Sequence, residues 1–258
     1  MLILLSPAKS LDYESLFICK NYTIPHFAKE IEKLILALKK LSVSDLEKLM
    51  GISEKLAELN FSRFQNFKKK FDLKNSRQSL LAFDGDVYDG FDKKNFSAKD
   101  FEFAQNHLRI LSGLYGILKP LDLMQPYRLE MGTNFKNLEF PAKNLYQFWG
   151  DKISDYLNED LKILGEKYVN NLASEEYFAA INPKKISAKI VNIVFKEKKG
   201  DILKIVGINA KRARGLMANF VIKNKVTKTK DLQDFCESGY AFAKELSDES
   251  DWVFVRHY

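Results

Sequence analysis

Cysteine and histidine are scarce in this 258-residue chain, which holds two of the first and three of the second. Cys19 and Cys236 are too few for a disulfide framework and form no C-x-x-C pair, so a reducing, cytoplasmic location is expected. His26, His107 and His257 stand far apart, without an H-x-x-x-H or E-x-x-H pattern. No metal site and no cofactor is therefore expected; scattered carboxylate oxygens are the one metal chemistry left open. With 12 glycines and six prolines, the chain is neither collagen-like nor of low complexity. No apolar run approaches the roughly 18–20 residues that span a bilayer, so no membrane association is expected. The opening MLILLSPAK has no basic lead-in and no small-residue cleavage site, and reads as a first strand rather than a signal peptide. The G-x-S-x-G elbow, the Walker loop and the G-x-G-x-x-G fingerprint are all missing, which removes the common hydrolase, NTPase and dinucleotide-binding classes.

What the chain has in quantity is apolar and charged residues, 46% and 29%. That composition and length suit a large buried core in one domain or two small ones. The net charge of +7 is unevenly spread. Residues 184–230 carry 14 Lys/Arg against Glu197 and Asp201, a local balance of +12, whereas residues 1–183 hold 25 of each sign. Residues 231–258 carry two basic and seven acidic side chains. So concentrated a positive field favours a polyanionic partner, because each neutralised phosphate releases condensed counterions. A solvated, lysine-rich surface that only keeps the protein soluble is the alternative.

The hydrophobic pattern predicts a mixed α+β architecture. Leu2–Leu5 reads as a buried strand ended by Ser6-Pro7, and Phe27–Leu41 as an amphipathic helix with a lysine-rich outer face. Ser44 is the expected N-cap of a helix over Asp45–Met50, and Ser53 that of a longer one through Phe67. Residues 80–91 read as a strand with turns at Gly85 and Gly90, and the Ser97/Asp100 spacing opens a helix through His107. Tyr146–Leu164 is helical by pattern, Tyr168–Leu172 a strand, and Ser174 caps a short helix. Ile186–Phe195 and Ile202–Ile208 form a hairpin about Lys199-Gly200-Asp201, Arg212–Asn224 returns to helical spacing, and Tyr240–Lys244 and Trp252–Arg256 alternate as strands. Neither repeat nor linker is visible. The expectation is a single compact domain over 1–258 with a mixed sheet, flanking helices and a helix-hairpin-helix-like element at about 44–67.

Three constellations have chemical content. The stretch from Leu46 through Gly51 and Ser53 to Ala57 matches the helix-hairpin-helix pattern of DNA-binding proteins, in which a hairpin glycine lets the backbone approach a phosphate. Gly51 takes the first hairpin position, Ser53 stands where a second glycine is usual, and Lys55 and Arg63 follow; an ordinary αα-corner explains the same residues. Lys211, Arg212 and Arg214 sit where a helix is expected to begin, opposing its macrodipole unless an anion is held there. Finally, Tyr127, Arg128 and Glu130, with Trp149, Asp151, Ser174 and Tyr177, mix charge, hydroxyls and aromatic rings in loop-like positions. They suit a pocket, with Lys9 as a further member, or equally a buried ion pair and a tyrosine-anchored core.

Five stretches together resemble the YaaA family of bacterial peroxide-stress proteins: LLSPAKSLDY at 4–13, FAQNHLRILSGLYGILKPLDLMQPYRLEMG at 103–132, LYQFWGD at 145–151, NLASEEYF at 171–178 and AKRARGLM at 210–217. The resemblance runs through essentially the whole chain. It implies a cytoplasmic protein that protects against hydrogen peroxide by limiting unincorporated iron. It also implies sequence-independent DNA binding through a helix-hairpin-helix-like element and a basic cleft. On this sequence the hairpin would be Leu49–Ala57 and the cleft would draw on Lys9, Arg128 and Lys211–Arg214. The competing reading is an enzyme acting on a small phosphorylated or nucleotide-like substrate around Arg128, Glu130 and Lys211–Arg214, motivated by a polar set more elaborate than DNA contact requires.

Overall fold

The computed structural model describes residues 1–16, 19–135, 140 and 142–257. The chain opens with β1 (Leu2–Leu5) and β2 (Ser10–Leu11), followed by helices α1 (Ala28–Leu38), α2 (Val43–Met50) and α3 (Glu54–Asn66). Three short elements, β3 (Arg77–Gln78), α4 (Ser79–Ala82) and β4 (Phe83–Asp84), lead to α5 (Ala98–His107). Then come β5 (Leu108–Ser112), β6 (Gly116–Leu118), β7 (Leu123–Met124), α6 (Leu145–Trp149) and α7 (Lys152–Leu164). The last third holds β8 (Tyr168–Asn171), α8 (Glu175–Phe178), β9 (Lys189–Lys199), β10 (Ile202–Lys204), α9 (Gly207–Asn224), β11 (Tyr240–Phe242) and β12 (Asp251–His257).

The sheet is mixed, in the order β11-β12-β9-β8-β1-β5-β6, with β10 on one edge of β9. β5, β1, β8, β9 and β12 run parallel, while β6, β10 and β11 are antiparallel to their partners. A strand with parallel neighbours on both sides and both faces covered needs a continuous apolar run. The LILL of β1 supplies one, and all four residues are buried. The chain leaving β1 crosses to β5 on one side, and the chain leaving β8 crosses to β9 on the other. The carboxyl ends of β1 and β8 therefore flank a topological switch point, where an α/β sheet opens a crevice.

The α+β expectation holds, as do the first strand, the β9–β10 hairpin and the Ser97/Asp100 capping box of α5. Several boundaries differ for local reasons. The cap of α2 is Ser42, not Ser44: its hydroxyl accepts the Asp45 N–H while the Asp45 carboxylate accepts the Ser42 N–H. Residues 80–91 are not one strand, because the chain turns through α4 and a 3₁₀ turn at Tyr88–Gly90. Tyr146–Leu164 splits at Gly150 into α6 and α7. The helix expected from Arg212 starts five residues earlier, at Gly207. Among the described residues no helix is long and apolar enough to cross a membrane.

One buried acid makes the fold pH-sensitive. Asp122 accepts from Thr23 Oγ1 at 2.5 Å and from the Lys119 N–H at 2.7 Å, yet burial pushes its pKa up to about 6. The folded state therefore holds a proton that the unfolded chain releases near pH ~4. This contribution is complete below that pH and is lost as pH rises through about 6. Asp122→Asn should thus gain stability relative to wild type between pH 4.5 and pH 7.5, measured by urea melts at both pH values. A pH-independent difference would show that Asp122 is not the titrating group.

Candidate functional site

Ser6, the first residue after β1, and Ser174, before α8, meet at the switch point. Ser6 Oγ accepts the Ser174 N–H at 2.8 Å and lies 3.3 Å from Ser174 Oγ. The Tyr88 hydroxyl donates to the Ser6 carbonyl at 3.0 Å. At the end of neighbouring β5, Ser112 Oγ and Tyr127 Oη are 2.6 Å apart. Glu130 bridges two cations, with Lys9 Nζ at 2.8 Å and Arg128 Nη2 at 3.2 Å. The loop carrying Glu130 is tied to α8 through Glu176, whose carboxylate accepts the Gly132 N–H at 3.0 Å and whose carbonyl accepts the Tyr146 hydroxyl at 2.9 Å.

Electrostatic proximity links the remaining members. Burial raises the pKa of Tyr177 far above its ordinary value, with Tyr127, Glu176 and Glu130 adding to the shift. Burial likewise raises Tyr88, with Tyr127 and Tyr177 beside it, and Tyr13, whose neighbours include Tyr127 and Arg63. These phenols stay protonated at physiological pH and act as neutral hydrogen-bonding groups. Burial lowers the pKa of Arg63, with Tyr13 opposing and Arg128 assisting. It does the same to Arg214, which Glu175 partly offsets. Arginine keeps its charge despite such shifts, so a desolvated guanidinium is a standing demand for an anion.

Of the expected pocket residues, Lys9, Tyr127, Arg128, Glu130, Ser174 and Tyr177 thus come together. Two do not. Trp149 is fully buried and donates its indole N–H to the Gly113 carbonyl at 3.0 Å, which makes it a core anchor behind the sheet end. Asp151 lies at the start of α7, where it pairs with Lys185 at 2.8 Å and accepts from Asn182 at 3.1 Å. Tyr13, Tyr88 and Ser6 are members that the sequence does not single out, whereas Glu175 and Glu176 belong to the candidate pocket segment Ser174–Tyr177. Ser6 and Tyr13 lie within the LLSPAKSLDY stretch and Glu175 and Glu176 within NLASEEYF, so the motif residues themselves were the available signal.

The basic cluster also needs correction. Because α9 begins at Gly207, Lys211, Arg212 and Arg214 are its fifth, sixth and eighth residues and do not sit at the positive end of the helix dipole. Arg214 turns inward toward Glu175, whereas Lys211 and Arg212 are exposed, with Lys211 3.8 Å from Asp86. Gly215 beside them lets α9 touch the backbone of the Tyr88–Gly90 turn: a Cβ there would stand 1.7 Å from the Val87 carbonyl oxygen.

The hairpin element exists as α2, Gly51-Ile52-Ser53 and α3. Gly51 adopts φ 59°, the left-handed conformation that favours glycine at a helix C-cap, and donates to Glu47 O. Ser53 occupies the N-cap of α3 but its side chain makes no capping bond, so it does not block the first-turn N–H groups. Residues 44–67 carry four acids against Lys48, Lys55 and Arg63, a balance of −1. Lys55 is exposed near the hairpin, while Arg63, about 12 Å further along the axis at 1.5 Å per residue, faces Tyr13 and Arg128. The element thus reaches from an exposed hairpin to the crevice.

A further group of exposed positive charge lies elsewhere. Lys198, Lys199 and Lys204 on the β9–β10 hairpin, with Lys211 and Arg212 on α9, are exposed, and among the described residues only Lys211 of these has an ion-pair partner. Ile202, Ile205 and Ile208 are exposed among them. Among the described residues no group of three or more His, Cys, Asp or Glu side chains is placed to hold a metal ion. A family model described as peroxide stress protein YaaA matches residues 1–246 of the chain.

Proposed function

The chain belongs to the peroxide stress protein YaaA family, and from that membership, which carries a general protective role against peroxide, we propose that it protects by binding DNA. The observation that carries this reading is the cluster of exposed cations Lys198, Lys199, Lys204, Lys211 and Arg212 on one hairpin and the adjoining helix. Cations gathered on one surface in this way neutralise backbone phosphates irrespective of sequence. The exposed Ile202, Ile205 and Ile208 give the same surface apolar side chains that suit base edges once the backbone is engaged.

DNA binding of this kind also accounts for protection from unincorporated iron. Ferrous iron reduces hydrogen peroxide to hydroxide and a hydroxyl radical, becoming ferric iron, and the radical attacks what lies within reach. Ferrous ions condensed on DNA generate it at the backbone. A protein that neutralises phosphates displaces condensed cations, iron among them, without holding iron itself.

The test is protection in cells that lack the endogenous protein. Peroxide-induced strand breaks should fall when the wild-type chain is restored, and stay near the unprotected level with the quadruple variant Lys198→Ala, Lys199→Ala, Lys204→Ala, Arg212→Ala. Equal protection by that variant at equal abundance would contradict the reading.

A further inference from the structure

The crevice at the switch point is built differently from the exposed basic face. Its arginines are desolvated and incompletely bonded: Arg128 Nε and Arg214 Nε are buried and have no hydrogen-bond partner among the described residues. A buried guanidinium N–H left unmade keeps its full desolvation penalty, so each of the two requires an explanation. Their carboxylate neighbours cover only part of the need. Glu130 takes Arg128 through Nη2 and shares itself with the largely exposed Lys9, and Glu175 acts on Arg214 as a nearby charge rather than as a bonded partner.

Neutral hydrogen-bonding groups gather at the same strand ends. Ser6 and Ser174 hydroxyls face each other at the strand ends, and Tyr177, kept protonated by burial, stands beside Glu130. Arginine forks match tetrahedral oxyanions, a lysine supplies a mobile point charge, and hydroxyls fill the remaining acceptor sites. We propose that Ser6, Lys9, Arg128, Ser174, Tyr177 and Arg214 bind a phosphomonoester dianion. Two arginines and a lysine exceed what one carboxylate would use. Glu130 would give up Lys9 to the ligand while keeping Arg128 in place. Glu130 and Glu175 hold the cations in register when no ligand is bound, and their opposing charge sets a modest affinity.

The same phosphate chemistry is offered by a free mononucleotide and by the 5′-phosphate at a DNA strand end. The experiment is calorimetric titration of the full chain with inorganic phosphate and with dAMP at low ionic strength. Anisotropy of labelled duplexes with 5′-phosphate or 5′-hydroxyl ends runs alongside. Saturable one-site binding of phosphate or dAMP is expected, weakened about 30-fold or more by Arg214→Gln, since a charge-assisted bond of roughly 2 kcal/mol is lost. Arg214→Lys, which keeps the charge but not the fork, should fall between, and Lys162→Ala, at an exposed position of α7, should leave binding unchanged. Arg128→Gln should act like Arg214→Gln, with thermal melts identifying any variant that fails to fold. If the 5′-phosphate duplex binds about tenfold more tightly than the 5′-hydroxyl one, the strand end is the source; equal duplex affinities with dAMP binding intact identify a free ligand. No saturable phosphate or dAMP binding at ~10 mM, or binding indifferent to Arg214→Gln and Arg128→Gln, overturns the proposal. The 5′-hydroxyl duplex reports on the exposed basic face alone, so failure there is separable from failure of the crevice.

Discussion

Asp160→Ala is expected to destabilise the protein by about 3–5 kcal/mol, because it leaves a charge buried without its partner. Arg109 lies on β5, between β1 and the edge strand β6, with a fully buried side chain, and its Nε donates to Asp160 Oδ2 at 2.5 Å. Nη1 donates to the carbonyls of Gln105 and Leu108, at 2.8 and 2.7 Å, while Lys119 Nζ holds the other Asp160 oxygen at 2.9 Å. Burial works against the Asp160 carboxylate, but the bond and charge of Arg109 overcome it and keep its pKa below the ordinary value. Arg109 cannot escape by losing its proton. Urea denaturation of the variant should show the full loss. The double variant Asp160→Leu, Arg109→Met should recover much of it, since apolar replacements remove the stranded charge. A loss under about 1 kcal/mol for Asp160→Ala would mean that water reaches Arg109.

Gly215→Ala sets two effects of opposite sign against each other. Helix propensity alone favours alanine by about 1 kcal/mol inside α9. The added Cβ, however, would fall 1.7 Å from the Val87 carbonyl oxygen and 2.8 Å from its carbon, both backbone atoms that no rotamer change can move. Gly90 is the reciprocal partner, with its own hypothetical Cβ 2.5 Å from the Leu216 nitrogen. Overpacking of this kind costs about 1–3 kcal/mol and more when backbones collide, so a net loss of roughly 2 kcal/mol or greater is expected. The shift has a functional side, because Arg214 is next to the contact and Tyr88 lies within the facing turn. Gly215→Ala should therefore weaken phosphate binding beyond what its stability loss explains at temperatures where it remains folded. A variant more stable than wild type would show that propensity governs and that the helix and turn are not in contact.

Local signals carried most of the fold. The four-residue apolar run of β1, the Ser97/Asp100 box and the Lys199-Gly200-Asp201 turn each depend on neighbours within a few positions. The start of α9 was not legible, because Gly207, Ile208 and Asn209 are mediocre helix formers and Ile208 is exposed. That five-residue error placed Lys211–Arg214 at a dipole end they do not occupy. Trp149 was ambiguous because aromatic N–H groups serve cores and pockets alike, and only its bond to Gly113 decides. The crevice itself joins residues up to 208 positions apart, Ser6 and Arg214 among them, at a place that exists only once strand order is known. Spacing along the chain carries no trace of such a meeting, whereas the motif stretches named several of its members.

The central claim, that exposed cations on the β9–β10 hairpin and α9 engage DNA phosphates, is tested most directly by the salt dependence of duplex binding. Fluorescence anisotropy of a labelled 5′-hydroxyl duplex across a range of NaCl concentrations gives the slope of log K against log[NaCl]. Five cations on the phosphates predict a slope of about −4.5, flattening to about −1 in the variant lacking Lys198, Lys199, Lys204 and Arg212. A wild-type slope near zero, or one that the four substitutions leave unchanged, would contradict the claim.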